Sequence, residues 1–350
     1  MSLKNTQPGS LSQDVKVGGG AGVLNGGSVL VTGGTGSFGQ KFVETVLQRY
    51  KPRRLIILSR DELKQYEMQQ VFDPAKYDCL RYFLGDVRDK NRLYRAFYGV
   101  DVVVHAAALK QVPAAEYNPF EVVQTNIIGT QNVIDAAIDN GVQKVIALST
   151  DKAVNPVNLY GATKLCLEKL VVAANSYAGG RTRFSVVRYG NVVGSRGSVV
   201  PVFLKQKKTG TLTVTDERMS RFWITLEQGV SFVLNCIENM QGGEVFVPKI
   251  PSMRIMDLAQ TVCPHCEIRF IGVRPGEKLH ELLISKDEAR NVVDCGDFFV
   301  VKPSFPFWMS KIEQQGQPVP EEWEYASNTN EQWLEKGQLQ KLINQFSQHS

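Results

Sequence analysis

The stretch LSTDKAVNPVNLYGATK, residues 148–164, gathers four side chains able to move protons: Asp151, Lys152, Tyr160 and Lys164. Tyr160 and Lys164 are four residues apart, so on a helix they share a face. An unperturbed phenol titrates at about 10, and an ammonium beside it favours phenolate, which moves the tyrosine toward use as a base at neutral pH. The chain has eleven Tyr, so roughly one such spacing is expected by chance, and its meaning rests on its position. Asp151 and Lys152 directly follow an apolar run, KVIALST; a solvated loop could explain their charges, but catalytic groups concentrate at strand C-termini in open α/β sheets.

A second set of residues reads as a nucleotide site. TGGTGSFG, residues 32–39, spaces Gly33, Gly36 and Gly39 evenly after another apolar run. Glycine admits positive φ and lets backbone N–H groups approach a pyrophosphate at the positive end of the following helix. Glycines also serve ordinary turns, but between a strand and an amphipathic helix the triplet is a strong signal. The next apolar run ends Ser59-Arg60-Asp61-Glu62-Leu63-Lys64. A carboxylate there would accept from a free ribose 2′-hydroxyl, whereas Arg60 can clamp a 2′-phosphate with Lys64 as added positive charge, which favours NADP over NAD. Asp61 dissents, since it would serve NAD if it pointed at the ribose. Asp86 can accept from an adenine amino group while Val87 covers the ring. Ala106, Ala107 and Ala108 are small enough to lie against a cofactor, and equally suited to helix packing.

These residues need a frame that brings them to one edge. From Ser28 short apolar runs alternate with stretches of helical period: SVLVT (28–32), RLIILSR (54–60), LRYFLG (80–85), DVVVHAAA (101–108), KVIALST (144–150) and FSVVRYG (184–190). Six such runs with crossover helices predict an α/β fold, a doubly wound parallel Rossmann sheet over residues 28–190. After Gly190 the rhythm loosens and prolines accumulate. Residues 191–304 are expected to form mostly a smaller α/β substrate domain, with some segments returning to the sheet. Residues 305–350, polar with spaced Trp308, Trp323 and Trp333, are expected to pack on the body as a tail, and the Gly/Ser-rich residues 1–27 to be a flexible leader.

Composition narrows the class further. A net charge of +5 without a dense Lys/Arg block gives little support to a nucleic-acid partner and suits an anionic small substrate. No apolar run reaches the roughly eighteen residues of a membrane span, and the N-terminus lacks the order of a signal peptide. Six scattered Cys imply a reduced, cytoplasmic setting. Cys263-Pro-His-Cys266 has the spacing of a metal or redox pair, but no second Cys pair accompanies it, so no metal is expected.

Together T-G-G-T-G-S-F-G, G-D-V-R-D, H-A-A-A, S-T-D-K and Y-G-A-T-K resemble the extended short-chain dehydrogenase/reductase family, whose members act on nucleotide sugars, over residues 28 to about 300. Within it, S-R-D-E-L-K, H-A-A-A-L-K-Q-V-P, S-T-D-K-A-V-N-P, R-Y-G-N-V-V-G-S-R-G-S-V, M-S-R-F-W-I-T and R-P-G-E-K-L-H-E are most similar to the inverting UDP-N-acetylglucosamine 4,6-dehydratases of the pseudaminic acid route. The resemblance implies a lyase that takes a hydride from C4, removes the C5 proton, expels the C6 hydroxyl and returns the hydride to C6. Tyr160, assisted by Lys164, would accept the C4 hydroxyl proton, Lys152 abstract the C5 proton, Asp151 protonate the departing C6 oxygen, and Thr150 hydrogen-bond the substrate. As a base Lys152 must be partly neutral, which burial and Lys164 would promote; as an acid Asp151 needs a raised pKa, so the two are expected to titrate as a coupled pair. Retaining dehydratases of the family carry Asp-Glu here and simple 4-epimerases small hydroxyl residues, so Asp151-Lys152 favours the inverting reaction.

The resemblance also implies that Gly33, Thr35, Gly36, Ser37, Phe38, Gly39, Lys110, Thr125 and Asn126 line the cofactor, with Lys110 near the sugar as well. Asn191, Arg196, Lys205, Thr215, Arg274 and Glu277 would hold the UDP part. It implies a homo-oligomer, up to a hexamer. Two other readings stay open: a UDP-hexose C5 or C4 epimerase on the same scaffold, and a non-catalytic nucleotide-sugar or NADP sensor, which would have no use for an intact Tyr160, Lys164, Asp151 and Lys152.

Overall fold

The structure, a computed structural model, describes residues 22–193, 199–305 and 316–347. Six parallel strands, β1 (Ser28–Thr32), β2 (Arg54–Ser59), β3 (Leu80–Leu84), β4 (Val102–His105), β5 (Lys144–Thr150) and β6 (Arg183–Tyr189), stand in the order β3-β2-β1-β4-β5-β6. Helices cover both faces, so the central strands read as continuous apolar runs rather than alternating ones. Val29, Leu30, Val31, Leu55, Ile56 and Ile57 are accordingly fully buried. In register, Thr32 stands beside Leu58 and His105, and Thr150 beside Tyr189. The order reverses between β1 and β4, and a crevice opens beyond the strand ends at that switch point, as the doubly wound topology requires.

After β6 the chain does two things. Val245–Pro248 extends the sheet in parallel beside β6, and Phe298–Val301, Val292–Asp294 and Gln317–Pro318 add antiparallel strands beyond it, to make a ten-stranded sheet. The rest builds a smaller body around its own apolar core, which includes Val200, Phe203, Leu212, Met219, Trp223 and Leu258. Leu339 and Ile343 of the last helix, Lys336–Ser347, are buried in that second core, each worth roughly 2 kcal/mol of apolar burial.

Two expectations are corrected. The leader does not extend to residue 27: residues 1–21 lie outside the described residues, but Leu24 is fully buried in the main core, and Gly26 donates its N–H to the Lys51 carbonyl at 2.9 Å. Nor are all six cysteines reduced. Cys263 and Cys266 form a disulfide, Cα atoms 5.4 Å apart, because the turn from helix Ile255–Val262 to strand Glu267–Phe270 folds their side chains together. Among the described residues no cluster of His, Cys, Asp and Glu could hold a metal ion, and no helix is long and apolar enough to cross a membrane. Trp308 lies outside the described residues.

Candidate active site

An open cleft of about 920 Å³ runs along the C-terminal strand ends and under the smaller body. At its first end β1 turns at Gly33, whose φ is +65°; a Cβ there would stand 2.9 Å from the Ala107 backbone. Glycine is required twice at this position, by conformation and by close approach. A Cβ on Gly39 would collide with the Gly34 backbone, so the helix Ser37–Arg49 can start flush on the turn only because that position is bare. This helix has Gly36 as N-cap, no side-chain cap and no acid in its first turn, which leaves free N–H groups and the positive dipole end at the cleft. The Thr32 hydroxyl accepts from the Ala106 and Ala107 N–H groups, each at 3.2 Å, and Thr35 bonds Ser59 at 2.8 Å. Bare backbone, available donors and no competing anion make a cradle that fits a dinucleotide pyrophosphate.

The ribose end separates the candidate readings. Asp61 caps its helix, its Oδ1 accepting from the Lys64 N–H at 3.0 Å and its Oδ2 from the Lys64 ammonium at 2.6 Å. Those bonds hold its carboxyl below the usual range. Arg60 is looser, 53% exposed and 3.7 Å from Asp86. Asp86 itself is chelated by Arg88 at 2.8 and 3.1 Å, while Val87 is buried at the cleft wall.

The chemical end is built on β5 and the helix Leu159–Ala174. Asn158 caps that helix, accepting from the Gly161 N–H at 2.8 Å. A Cβ on Gly161 would run into the Lys152 carbonyl, so the glycine lets the helix press against the turn that carries Asp151 and Lys152. Thr150 donates to Asp151 Oδ1 at 2.8 Å, and the Lys152 ammonium donates to the same oxygen at 3.0 Å and to Asn191 at 3.4 Å. Asp151 is fully buried, its Oδ2 without a partner. Burial pushes its carboxyl above the ordinary value, against the pull of Lys152.

Two details of the expected chemistry are corrected. Burial favours a neutral Lys152, but Asp151 together with Glu281, whose Oε1 lies 3.5 Å away, outweighs it and holds the ammonium; Lys164 is not what sets its charge. Nor does Lys164 serve the phenol directly. Its ammonium donates to the Leu148 carbonyl at 2.6 Å, and burial lowers it to about 8. Tyr160, also buried, is pushed up to about 12, and the cation that pulls it back is Lys152, helped by a hydrogen bond with Thr150.

Most of the expected residues share this one cleft: Gly33, Thr35, Gly36, Ser37, Phe38, Gly39, Arg60, Asp61, Lys64, Asp86, Val87, Ala106, Ala107, Lys110, Thr125, Thr150, Lys152, Tyr160, Lys164, Asn191, Thr215, Arg274 and Glu277 line it. Asn126 stands behind the wall, stitching both backbone groups of Leu109 to Thr163. Lys205 is exposed on the helix Val199–Lys207 and does not line the cleft. Arg196 lies outside the described residues. The Thr125 hydroxyl and Glu277 Oε2 are buried without partners at the wall, groups that a ligand would satisfy. The motifs R-P-G-E-K-L-H-E and R-Y-G-N-V-V-G-S-R-G-S-V contain Glu281 and Arg188 but gave neither residue a role, and nothing in the sequence paired Arg188 with Glu168 and Glu288.

Residues 29–303 match the family model described as polysaccharide biosynthesis protein. A relative from Campylobacter jejuni, strain 81-176, named "UDP-N-acetylglucosamine 4,6-dehydratase (inverting)", is 53% identical over 92% of this chain and 98% of its own length. A Rickettsia massiliae protein named "UDP-glucose 4-epimerase" is 44% identical over 78% of this chain and 82% of its own length. Among solved structures, Pen from Bacillus thuringiensis superposes with a TM-score of 0.84 at 37% identity, covering 93% of this chain and 98% of that one.

Proposed function

The chain belongs to the polysaccharide biosynthesis protein family, and from that premise we propose that it is a UDP-N-acetylglucosamine 4,6-dehydratase of the C5-inverting kind. The observation that carries this reading is the Asp151–Lys152 pair, mounted beside Tyr160 at one end of one cleft. Exchange at C4 alone needs one acid–base group, whereas expelling the C6 hydroxyl needs a further base and a further acid.

The cofactor is a nicotinamide dinucleotide, and we read it as NADP, because Arg60 is loosely held while both oxygens of Asp61 are taken by Lys64. When bound, it takes up the C4 hydride and gives it back at C6. Tyr160 takes the C4 hydroxyl proton as its phenolate, the form that the Lys152 ammonium and the hydrogen bond with Thr150 favour. The C5 proton, now beside a ketone, is acidic enough for an amine.

Lys152 becomes that amine by passing one proton across its 3.0 Å contact to Asp151, a hop that the buried, raised Asp151 favours. One transfer therefore makes the base and the acid together, with no change in net charge. Lys152 then takes the C5 proton while Asp151 releases its own toward the C6 oxygen, and water leaves. Asp151 does not line the cleft but Thr150 does, so the Thr150 hydroxyl is the route by which that proton reaches substrate. A solvent-derived proton added at C5 from the opposite face, as hydride returns to C6, gives the inverted 4-keto-6-deoxy sugar. Asn191, Thr215, Arg274 and Glu277 line the UDP side, and residues 191–304 would supply most of the substrate-binding part. We also propose a cytoplasmic homo-oligomer.

A second reading, UDP-hexose epimerase, is favoured by the 44% identical relative of that name. Incubation with UDP-N-acetylglucosamine in heavy water, followed by NMR, separates the two. A 4-keto-6-deoxy product with inverted, deuterated C5 is expected. A sugar that keeps its C6 hydroxyl and changes only its configuration at C4 or C5 overturns the dehydratase reading in favour of the epimerase.

A further inference from the structure

We propose that Glu281 is a positioning residue for the elimination step: its carboxylate holds the Lys152 ammonium at the cleft wall beside Asp151. The proposal rests on the dehydratase reading above. Glu281 Oε1 lies 3.5 Å from Lys152 Nζ, and the side chain is only 4% exposed. The other oxygen, Oε2, is buried without a partner. A buried carboxylate with an unsatisfied oxygen is costly, so its retention points to function rather than packing.

The surrounding chain is built as a mount for this one side chain. Glu281 donates its N–H to Ser327 Oγ at 2.9 Å, and Ser327 donates its own N–H back to the Glu281 carbonyl at 2.9 Å. Ser327 Oγ also meets Ser220 Oγ at 2.8 Å, which ties in the strand Ser220–Ile224. The strand that follows, Leu282–Ile284, pairs with Tyr325–Ala326, so backbone is clamped on both sides of residue 281.

The other cations nearby are engaged elsewhere. Arg221 is 3.7 Å from Oε1, but its Nη1 donates to the Ser220 and Leu279 carbonyls at 2.7 and 3.0 Å. Lys278 donates to the Val154 carbonyl. Arg221 lines the cleft too, but of the cleft-lining cations Lys152 is the nearer to the carboxylate and the one that also meets Asp151.

The groups facing this pair are Asp151 from its own turn, Arg221 from the neighbouring strand, Lys278 from the Glu281 segment, and Lys110 and Tyr160 from the cleft side, while His280 turns to Ser220. The negative charge of Glu281 raises both Asp151 and Lys152. Removing it lowers both, so the acid and base limbs of the kcat profile move together to lower pH. A merely structural glutamate would change the folded fraction and leave the profile where it is.

The test compares wild type, Glu281→Gln and Glu281→Asp for kcat and KM with UDP-N-acetylglucosamine across pH, with deuterium entry at C5 and thermal unfolding recorded on the same samples. For Glu281→Gln we expect kcat to fall about 10- to 100-fold, KM to stay within about twofold because Glu281 does not line the cleft, and the profile to move to lower pH. Glu281→Asp, which keeps the charge, should restore the position of the profile and part of kcat. Wild-type kcat in Glu281→Gln, or equal losses in both variants with an unmoved profile, overturns the proposal. C5 exchange reads proton removal even where no water leaves. A wild type without dehydrated product thus fails the functional reading, while unimpaired exchange in Glu281→Gln fails this one.

Discussion

Ser149 and Thr150 are neighbours at the end of β5, and each lends its hydroxyl to a different buried cluster of one base and two acids. Ser149 donates to Glu168 at 2.5 Å, and Glu168 grips Arg188 at 3.0 and 2.6 Å. Arg188 also reaches Glu288 at 3.1 and 2.9 Å and the Leu283 carbonyl at 2.8 Å. Thr150 donates to Asp151, which with Glu281 surrounds Lys152. Burial does not distinguish them, since Arg188 and Glu168 are 2% and 3% exposed and Asp151 and Glu281 0% and 3%. Completion does. In the Arg188 cluster no side-chain oxygen or nitrogen is without a partner, whereas Asp151 Oδ2 and Glu281 Oε2 both lack one. A permanently charged guanidinium with every bond made cannot exchange a proton. A lysine between two incompletely bonded carboxylates can, and its open side faces the cleft.

The largest test of that contrast takes the central base from each cluster. Lys152→Ala should lower dehydration by at least about 10³-fold, with UDP-sugar binding retained in a calorimetric titration; an active variant would remove Lys152 from the chemistry. Arg188→Met should instead act on folding, because it leaves Glu168 and Glu288 buried and unpaired, at about 3–5 kcal/mol by urea unfolding. If Arg188→Met were stable yet inactive, the two clusters would not divide the work in this way.

Lys164 sharpens the comparison from the opposite direction, since it stands one helical turn before Glu168 but is bound only to a carbonyl. Its folded pKa of about 8 lies below the ordinary 10.5, so folding opposes its charge. That penalty, roughly 3 kcal/mol at about 1.4 kcal/mol per unit, is fully present below pH 8 and fades as pH rises toward 10.5. Lys164→Met should therefore be more stable than wild type at neutral pH by about 1–3 kcal/mol, after loss of the carbonyl bond. Urea unfolding should find that advantage shrinking between pH 8 and 10.5; a gain that grew with pH would contradict the buried, partly charged lysine.

The sequence carried the open cluster far better than the closed one, for a physical reason. Strands buried on both faces write themselves as apolar runs, so SVLVT and KVIALST coincide with β1 and β5. Glycines demanded by a turn or a close approach stand where they must, as Gly33 does. Asp151, Lys152, Tyr160 and Lys164 follow β5 within fifteen residues, and their position after that strand, with the motifs S-T-D-K and Y-G-A-T-K, grouped them where spacing alone did not. Glu281 meets Lys152, and Glu288 meets Arg188, only after the chain has passed through the smaller body and come back to the sheet, about 130 and 100 residues later, a pairing that no local period encodes. Arg188 inside FSVVRYG reads as one polar residue in an apolar run. The neutral Lys152 expected from burial failed for the same reason, because the second carboxylate that holds its charge comes from that distant segment.

The smallest test exchanges the two neighbouring hydroxyls. Ser149→Ala removes one bond to a carboxylate that Arg188 still holds with two, so a loss of about 1–2 kcal/mol in urea unfolding is expected with kcat nearly unchanged. Thr150→Val keeps the branched shape but removes the hydroxyl between Asp151, Tyr160 and the cleft. Its stability cost should be similar or smaller, while kcat falls about 10- to 100-fold, the lower range for an acid–base group that must be positioned to act. Thr150→Ser, which restores the hydroxyl, should recover most of that loss. Equal catalytic losses in Ser149→Ala and Thr150→Val would mean that the clusters are one network, and that completing the hydrogen bonds on one side does not insulate it from proton traffic on the other.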